Sequence, residues 1–153
     1  MARTRAIAVA EQGRVPFRLF EYEHDPGSRS FGLEAAEKLG VDPARVFKTL
    51  VVEIDGKAAV AIVPVQAELD LRALGKRAAI AKPADAERVT GYVTGGISPL
   101  GLRKQLPTLL DESAVAFETV YVSAGRRGLE LEIAPRDLLR LTGGEARPIA
   151  ARR

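Results

Sequence analysis

The sequence contains no cysteine and a single histidine among its 153 residues. The absence of cysteine excludes disulfides, thiolate metal sites and a cysteine nucleophile supplied by the protein. Because His24 is the sole imidazole, a zinc site would need a carboxylate-rich ligand set, and no such spacing is present. A Ser-His-Asp triad would have to use His24, yet no Gly-x-Ser-x-Gly elbow supplies the serine. Any catalysis must come from positioning, backbone donors, lysine or the substrate itself, and we expect no metal or other cofactor.

Long apolar runs are missing as well. No segment approaches the roughly 18 apolar residues of a membrane-spanning helix, and no apolar stretch follows Arg3 and Arg5 as it would in a signal peptide. Hydrophobic residues make up 46% and charged residues 28% of the chain, as is typical of a globular domain. The length predicts one domain over residues 1–153. We expect a cytoplasmic monomer with no membrane partner.

The net charge of +3 is a mild basic bias, held largely in the tails and loops. Basic surface can bind nucleic acid through its phosphates. Bacterial proteins rich in arginine and alanine often carry such charge without binding RNA. The charge alone therefore does not decide whether the partner is a nucleic acid.

Hydrophobic patterning predicts a mixed α+β domain. Strand signals outnumber helix signals and do not alternate strictly with them, which favours α+β over a parallel βαβ array. Asp55-Gly56 between two β-branched runs predicts a type I′ hairpin. The predicted helices cover residues 4–12, 30–39, 70–79, 83–89 and 134–141. The predicted strands cover residues 15–22, 48–54, 57–63, 106–110, 118–122, 129–133 and 147–150.

The segment 90–101 holds four glycines together with Tyr92 and several small hydroxyl residues. Glycine suits positions with positive φ or a close approach of another group. Such a loop can present backbone N–H groups to a phosphate or a developing oxyanion, or it can be a tight connection and nothing more.

The last two glycines of this segment, Gly96 and Gly101, have P-loop spacing, but Leu102 and Arg103 stand where lysine and serine or threonine are required. The P-loop interpretation therefore fails.

Three further features each have two interpretations. Lys48, at the start of an apolar strand, is either a binding group or a solvated strand-end lysine. Arg126 and Arg127, in the glycine-flanked turn 124–128, either clamp a phosphate or lie in an exposed turn. The segment 22–24 either lines a pocket, with His24 as a candidate general base, or simply ends an amphipathic strand.

Taken together, these segments resemble the YbaK/EbsC family, whose relatives include the editing insertion domain of bacterial prolyl-tRNA synthetases. Within the family the resemblance is greatest to the free-standing YbaK branch. It implies an α+β fold with a mixed, partly barrel-like sheet surrounded by helices. The matching segments run in order over nearly the whole chain: Tyr22-Glu23-His24-Asp25, Val46-Phe47-Lys48-Thr49-Leu50, Thr90-Gly91-Tyr92, Gly95-Gly96-Ile97-Ser98-Pro99-Leu100-Gly101, Leu106-Pro107 and Tyr121-Val122-Ser123-Ala124-Gly125-Arg126-Arg127-Gly128.

The resemblance implies a trans-editing deacylase that removes cysteine from mischarged Cys-tRNA(Pro), with Cys-tRNA(Cys) as a second candidate substrate. Prolyl-tRNA synthetase mischarges cysteine because a pocket cannot strongly reject a near-isostere. In this branch the substrate's own thiol is expected to attack the ester and leave a cysteine thiolactone. That chemistry suits a chain without a nucleophile of its own. The implied partners are aminoacyl-tRNA and, transiently, prolyl-tRNA synthetase.

Roles for individual residues also follow from the resemblance. Lys48 matches the family's essential lysine, which would hold the acceptor-end adenosine and its phosphate or ester. The backbone of Gly95 and Gly96 matches the loop that would bind the ester carbonyl. The other residues at matching positions would bind the substrate, with Arg126 suited to tRNA phosphate: Tyr22, Phe31, Thr49, Ser98, Ser123, Arg126 and Glu130.

One departure from the family pattern leaves the specificity open. After the Arg-Arg-Gly-Leu turn the family commonly has aspartate, whereas this chain has Glu130, whose carboxylate reaches about one methylene further. Two alternatives therefore stay open. One is an editing hydrolase for another small residue such as alanine, with water attacking and Glu130 or His24 as its base. The other is a non-catalytic binder of RNA ends or nucleotides.

Overall fold

Two β-sheets form the frame of the computed structural model, which describes residues 3–28 and 30–151. The strands are β1 (Phe17–Glu21), β2 (Phe47–Ile54), β3 (Lys57–Pro64), β4 (Ala78–Ile80), β5 (Thr108–Asp111), β6 (Val120–Arg126), β7 (Leu129–Ile133) and β8 (Glu145–Arg147). The α-helices are α1 (Arg5–Gln12), α2 (Phe31–Leu39), α3 (Pro83–Thr90) and α4 (Pro135–Thr142).

The strand pairing confirms the α+β class. The three-stranded sheet has the order β1-β7-β6 and is antiparallel. The five-stranded sheet has the order β4-β2-β3-β5-β8, in which β3–β5 and β5–β8 are parallel and the other pairs antiparallel. A parallel bridge between Val46 and Tyr121 joins the two sheets. Over the described residues the sheets do not close, so the partly barrel-like sheet expected from the sequence is an open pair of sheets.

The predicted hairpin between β2 and β3 is confirmed. Asp55 and Gly56 have φ values of 52° and 80°, and a type I′ turn requires positive φ at both central residues. The register runs from Ile54 opposite Lys57 to Phe47 opposite Pro64. The turn thereby fixes which residue of β3 lies opposite each residue of β2.

Local signals also place the helices. Thr4 caps α1, because its hydroxyl accepts a hydrogen bond from the Ile7 N–H at 3.2 Å. Pro83 stands in the first turn of α3, where its missing N–H costs no helical bond. That helix ends at Gly91 with φ of 81°, a left-handed conformation that glycine adopts readily. The glycine-rich segment therefore begins directly at a helix end.

Two predicted elements are wrong. In place of a helix over 70–79 there is a short 3-10 turn, capped by Asp70, followed by β4, because Gly75 has φ of 134° and Ala78–Ile80 pair with β2. In place of a strand over 147–150 the chain forms β8 earlier and then leaves the sheet. There Asp111 accepts the N–H groups of Ile149 and Ala150 at 3.0 and 2.8 Å. At this second place a side chain binds backbone groups that the prediction assigned to a strand.

The largest apolar cluster lies between the two sheets and is covered by α1 and α4. It includes Leu129, Leu131 and Ile133, whose side chains on one face of β7 are fully buried, as their alternation predicts. Burial of such side chains from water is the main favourable term in folding. None of the described helices is both long and apolar enough to cross a membrane.

Candidate active site

A cavity of about 440 Å³ opens at an interruption in strand pairing along one edge of β2. Just before this strand begins, Val46 forms a bridge to Tyr121 of β6. At the other end of the strand, Val52–Ile54 pair with β4. The Val51 carbonyl accepts the Ala81 N–H at 3.0 Å, so by alternation the backbone groups of Thr49 point to the same edge. Within the described residues Thr49 has no strand partner there. The cavity occupies this gap.

Most of the predicted site residues line the cavity: Tyr22, Phe31, Lys48, Thr49, Gly95, Ser123 and Glu130. Apolar residues that the sequence did not single out form much of the remaining wall: Leu33, Leu50, Val51, Val65, Ile80 and Ile97. Leu33 and Ile80 lie at its mouth and are 43% and 57% exposed. Exposed apolar side chains could have been suspected at a binding site, but the sequence does not reveal which ones remain uncovered.

Lys48 extends into this cavity and is half-buried. Burial lowers its pKa, and the negative charge of Glu68 partly opposes that effect. Within residues 3–28 and 30–151 its ammonium group has no hydrogen-bond or ion-pair partner. A partly desolvated cation without a partner is suited to bind an anionic or ester oxygen.

Glu130 is a buried acid on β7, with only 6% of its surface exposed. It pairs with Ser123 on β6 and with Phe20 on β1, so it lies at the centre of the three-stranded sheet. Burial raises its pKa to about 8. Burial and the nearby charges of Glu130 and Glu34 raise the pKa of Tyr22 to about 12. At neutral pH Glu130 is therefore mainly protonated and can donate a hydrogen bond.

The burial of Glu130 predicts an unusual pH dependence of stability. The folded protein keeps this proton up to about pH 8, whereas the unfolded chain releases it near 4.5. Unfolding between these values releases a proton, so stability falls as pH rises, by about 1 kcal/mol per pH unit. The free energy of unfolding of Glu130→Gln, measured from pH 5 to 8, should lack this component. Glu53→Gln, on exposed β2 surface, should retain it. Parallel curves for wild type and Glu130→Gln would show that Glu130 is ionised throughout.

Thr49 and Ser123 are two of the hydroxyl-bearing residues that line the cavity, together with Tyr22, Ser30 and Thr94. Thr49 Oγ1 is buried and has no hydrogen-bond partner among the described residues. Unpaired buried hydroxyls are uncommon and call for an explanation such as a bound ligand. Ser123 Oγ already accepts the Gly125 N–H at 3.2 Å. Its hydrogen has no acceptor among the described residues and can donate to a ligand.

The glycine loop contributes Gly95 to the cavity and buries Gly96 behind it. Gly95 has φ of 88°, and a Cβ added there would lie 2.9 Å from the Phe31 ring. The Gly96 N–H donates to the Val93 carbonyl at 2.9 Å. A Cβ at Gly96 would lie 2.7 Å from the Arg126 backbone. The structure thus brings one of the two predicted glycines to the cavity and uses the other for packing.

Two other predicted residues also lie outside the cavity. Ser98 is fully buried and its hydroxyl accepts the Leu100 N–H at 3.2 Å, which shapes the loop. Arg126 forms an ion pair with Glu21 at 3.0 Å on the surface. Its side chain is 40% exposed and remains accessible to a phosphate.

His24 is held beside the cavity by a buried carboxylate. Its Nδ1 lies 2.6 Å from Glu34 Oε1, and Glu34 also accepts the Asp25 N–H at 2.8 Å. Burial by itself would raise the pKa of Glu34, but these hydrogen bonds hold it below its ordinary value. The imidazole packs against Phe31 with ring centres 5.4 Å apart. His24 is absent from the cavity lining, so the geometry supports a role in positioning Phe31.

Among the described residues, no group of three or more histidine and carboxylate side chains is arranged to hold a metal ion. The chemically distinctive groups of the cavity are instead an ammonium, a buried acid, several hydroxyls and a glycine backbone. This set can bind a polar ester next to an apolar wall. It contains no activated nucleophile of its own.

Comparison with known proteins identifies the class that this fold and site define. The profile of the aminoacyl-tRNA editing domain matches residues 26–141. The chain belongs to the aminoacyl-tRNA editing domain family, and its class of activity is the deacylation of aminoacyl-tRNA.

Individual relatives refine this assignment. The chain is 39% identical over 150 residues to EbsC of Enterococcus faecalis, designated a candidate Cys-tRNA(Pro)/Cys-tRNA(Cys) deacylase, covering 94% of this chain and 90% of EbsC. It is 31% identical over 110 residues to the uncharacterised protein YwhH of Bacillus subtilis, covering 69% and 70%. A solved structure described as a candidate trans-editing enzyme for prolyl-tRNA synthetase is 26% identical, with a TM-score of 0.84 and coverage of 97% and 96%. These matches confirm the resemblance and the fold class inferred from the sequence.

Proposed function

We propose that this protein is a trans-editing deacylase that clears cysteine from Cys-tRNA(Pro), with Cys-tRNA(Cys) as a second substrate. The main support is the cavity itself, which is lined by Gly95 and by Lys48, whose ammonium has no hydrogen-bond or ion-pair partner among the described residues, and which contains no cysteine. Its volume of about 440 Å³ is in the usual range for small-ligand sites. The name of the relative EbsC points to the same substrates.

In the proposed reaction the thiol of the esterified cysteine attacks its own carbonyl carbon. The new C–S bond forms, the bond from the carbonyl carbon to the ribose oxygen breaks, and the thiol proton passes to that oxygen. The products are a cysteine thiolactone and free tRNA. Holding the thiol against the carbonyl gives a large effective molarity, of roughly 10⁵ M or more in well-oriented systems.

Each lining group has a place in this scheme. Lys48 holds the terminal adenosine through its phosphate or ester oxygen, and the Gly95 N–H binds the carbonyl oxygen as it gains negative charge. The Thr49 hydroxyl and the Glu130 carboxyl supply hydrogen bonds to the amino-acid portion. Tyr22 and Phe31 complete the wall around the side chain.

A second candidate chemistry is attack by water on another small aminoacyl ester, such as alanyl. The observation that favours it is the buried carboxyl of Glu130, whose raised pKa of about 8 suits a general base near neutral pH. The two chemistries differ in their dependence on a substrate thiol. Only water attack would allow efficient turnover of Ala-tRNA(Pro).

The nucleophile is tested by changing one atom of the substrate. Ser-tRNA(Pro) retains the size of the cysteinyl ester but replaces sulfur with a poor nucleophile. We expect binding to survive and turnover to fall by at least about 100-fold, with thiolactone detectable before free cysteine in the cysteinyl reaction. Deacylation rates should be measured in parallel for Cys-, Ser-, Ala- and Pro-tRNA(Pro). Equal rates for the seryl and cysteinyl esters would establish water as the nucleophile.

The remaining assignments are part of the same proposal. We infer a cytoplasmic protein that acts as a monomer and meets prolyl-tRNA synthetase transiently. The site offers groups for the aminoacyl end of a tRNA and none of the described loops is an evident anticodon reader. Selection among tRNAs would therefore come from the synthetase.

A further inference from the structure

Arg127 connects the glycine loop to the wall of the cavity. Its Nε–H donates to the Thr94 carbonyl at 2.8 Å. Its guanidinium carbon lies 4.8 Å from the centre of the Phe31 ring, within cation–π distance. A single side chain from the turn between β6 and β7 thus touches both the loop and α2.

Glu87 on α3 also binds Thr94, the loop residue whose carbonyl accepts the hydrogen bond from Arg127. Glu87 Oε2 accepts the Thr94 N–H at 2.8 Å and the Thr94 hydroxyl at 3.0 Å. These hydrogen bonds lower the pKa of Glu87, so the carboxylate is ionised at neutral pH. Thr94 is therefore held through its N–H by an anion and through its C=O by a cation.

The bond to the Thr94 carbonyl has a consequence for the next residue. The carbonyl of Thr94 and the N–H of Gly95 belong to one peptide unit, which is planar and trans, so the two groups point in opposite directions. Fixing the carbonyl on Arg127 therefore fixes the direction of the Gly95 N–H. A charge-assisted hydrogen bond at the carbonyl also polarises that N–H and strengthens it as a donor.

We propose that Arg127 is a positioning residue, which orients and polarises the Gly95 N–H toward the carbonyl oxygen of the bound aminoacyl ester. This inference rests on the proposed deacylase function. It separates the two neighbouring arginines, because Arg126 faces Glu21 on the surface while Arg127 acts through the loop. Lysine cannot replace it, since an ammonium has neither the fixed Nε–H direction nor a planar face to stack on Phe31.

The test is to measure kcat and KM of Arg127→Ala and Arg127→Lys on Cys-tRNA(Pro) at several salt concentrations. We expect kcat to fall about 10- to 100-fold in both variants. KM and its salt dependence should stay near the wild-type values. Arg147→Ala serves as the matched control, because Arg147 lies on the distant edge strand β8 and pairs with Glu145. Its kinetics should equal those of the wild type.

The competing role for Arg127 is a direct contact with tRNA phosphate, and it gives the opposite pattern. KM would rise, kcat would be unchanged, the slope of log KM against log salt would shrink by roughly 0.7 to 0.9, and Arg127→Lys would restore activity. Any of these results for an active, folded variant would overturn the positioning role.

Amide hydrogen exchange supplies a readout that does not depend on activity. Peptides covering residues 93–97 should exchange faster in Arg127→Ala than in wild type, at an unchanged melting temperature. Unchanged exchange would overturn the inference. A wild-type protein inactive on every charged tRNA would overturn the proposed function, whereas an active wild type with an equally active Arg127→Ala variant would overturn only the role of Arg127.

Discussion

Replacing Lys48 by alanine is expected to abolish deacylation while leaving the fold intact. Its ammonium lines the cavity without a partner, so its removal breaks no hydrogen bond or ion pair among the described residues. The free energy of unfolding should change by less than about 1 kcal/mol. Loss of a positioned charge at the reacting ester should lower kcat/KM by at least about 100-fold. Single-turnover deacylation and thermal melting of the same preparation test both statements.

Two further substitutions complete this experiment. Lys48→Met keeps the length of the side chain and removes its charge, so it should be as inactive as the alanine variant. Lys57→Ala removes an exposed lysine at the start of the neighbouring strand β3 and should change neither activity nor stability. Wild-type activity in Lys48→Ala would return Lys48 to the interpretation of a solvated strand-end lysine.

Gly95→Ala is expected to have the second largest effect on turnover. Its φ of 88° disfavours any side chain, and the added Cβ would lie 2.9 Å from the Phe31 ring and 2.8 Å from Arg127 Nε. Relief of these contacts must move the loop or the cavity wall, so the Gly95 N–H loses its direction. We expect kcat to fall by about 100-fold. Kinetics on Cys-tRNA(Pro) and melting curves should be recorded together.

Gly40→Ala is a matched control for backbone strain. Gly40 has φ of 67°, but a Cβ there would have nothing within 4 Å. Both variants should lose roughly 1–2 kcal/mol from the left-handed conformation, and only Gly95→Ala should lose activity. Gly96→Ala should instead be mainly a stability variant, because its Cβ meets the Arg126 backbone, which cannot move aside easily. Equal activity losses in Gly95→Ala and Gly40→Ala, each in proportion to unfolding, would make the loop architectural.

The parts of the fold that the sequence predicts well are those in which neighbouring residues act on each other. Asp55-Gly56 determines its own turn, and the alternation in β7 determines its buried face. The helix prediction for segment 70–79 is wrong because the structure there depends on residues distant in sequence. Ala78–Ile80 pair with the edge of β2, and no local sequence pattern indicates that pairing. Hydrophobic periodicity indicates the secondary structure that a segment favours locally. Pairing with a distant strand can override this preference where the segment is short.

The candidate site shows the same division between local and distant information. Residue types at matching positions were enough to select Lys48, Tyr22 and Glu130, which the fold brings to one cavity. The raised pKa of Glu130 could not be foreseen, because the alternation in β7 places Glu130 on the polar face and only the surrounding structure buries it. Likewise the turn alone does not distinguish Arg126 from Arg127, and the family resemblance assigns a role only to Arg126. Only the structure separates them: the Arg126 side chain pairs with Glu21, whereas the Arg127 side chain binds the Thr94 carbonyl.

The gap along the edge of β2 bears on how such an enzyme changes over evolutionary time. The cavity comes from the stretch of β2 edge at Thr49 that lacks a strand partner among the described residues, and not from space removed from a packed interior. Leu33 and Ile80 at its mouth belong to none of the three apolar clusters that stabilise the chain. We expect mutations at these two positions to alter which aminoacyl esters can enter the cavity, while the packing of the three apolar clusters is unchanged. We therefore expect the specificity for aminoacyl esters to change through substitutions at these two positions, without a change of fold.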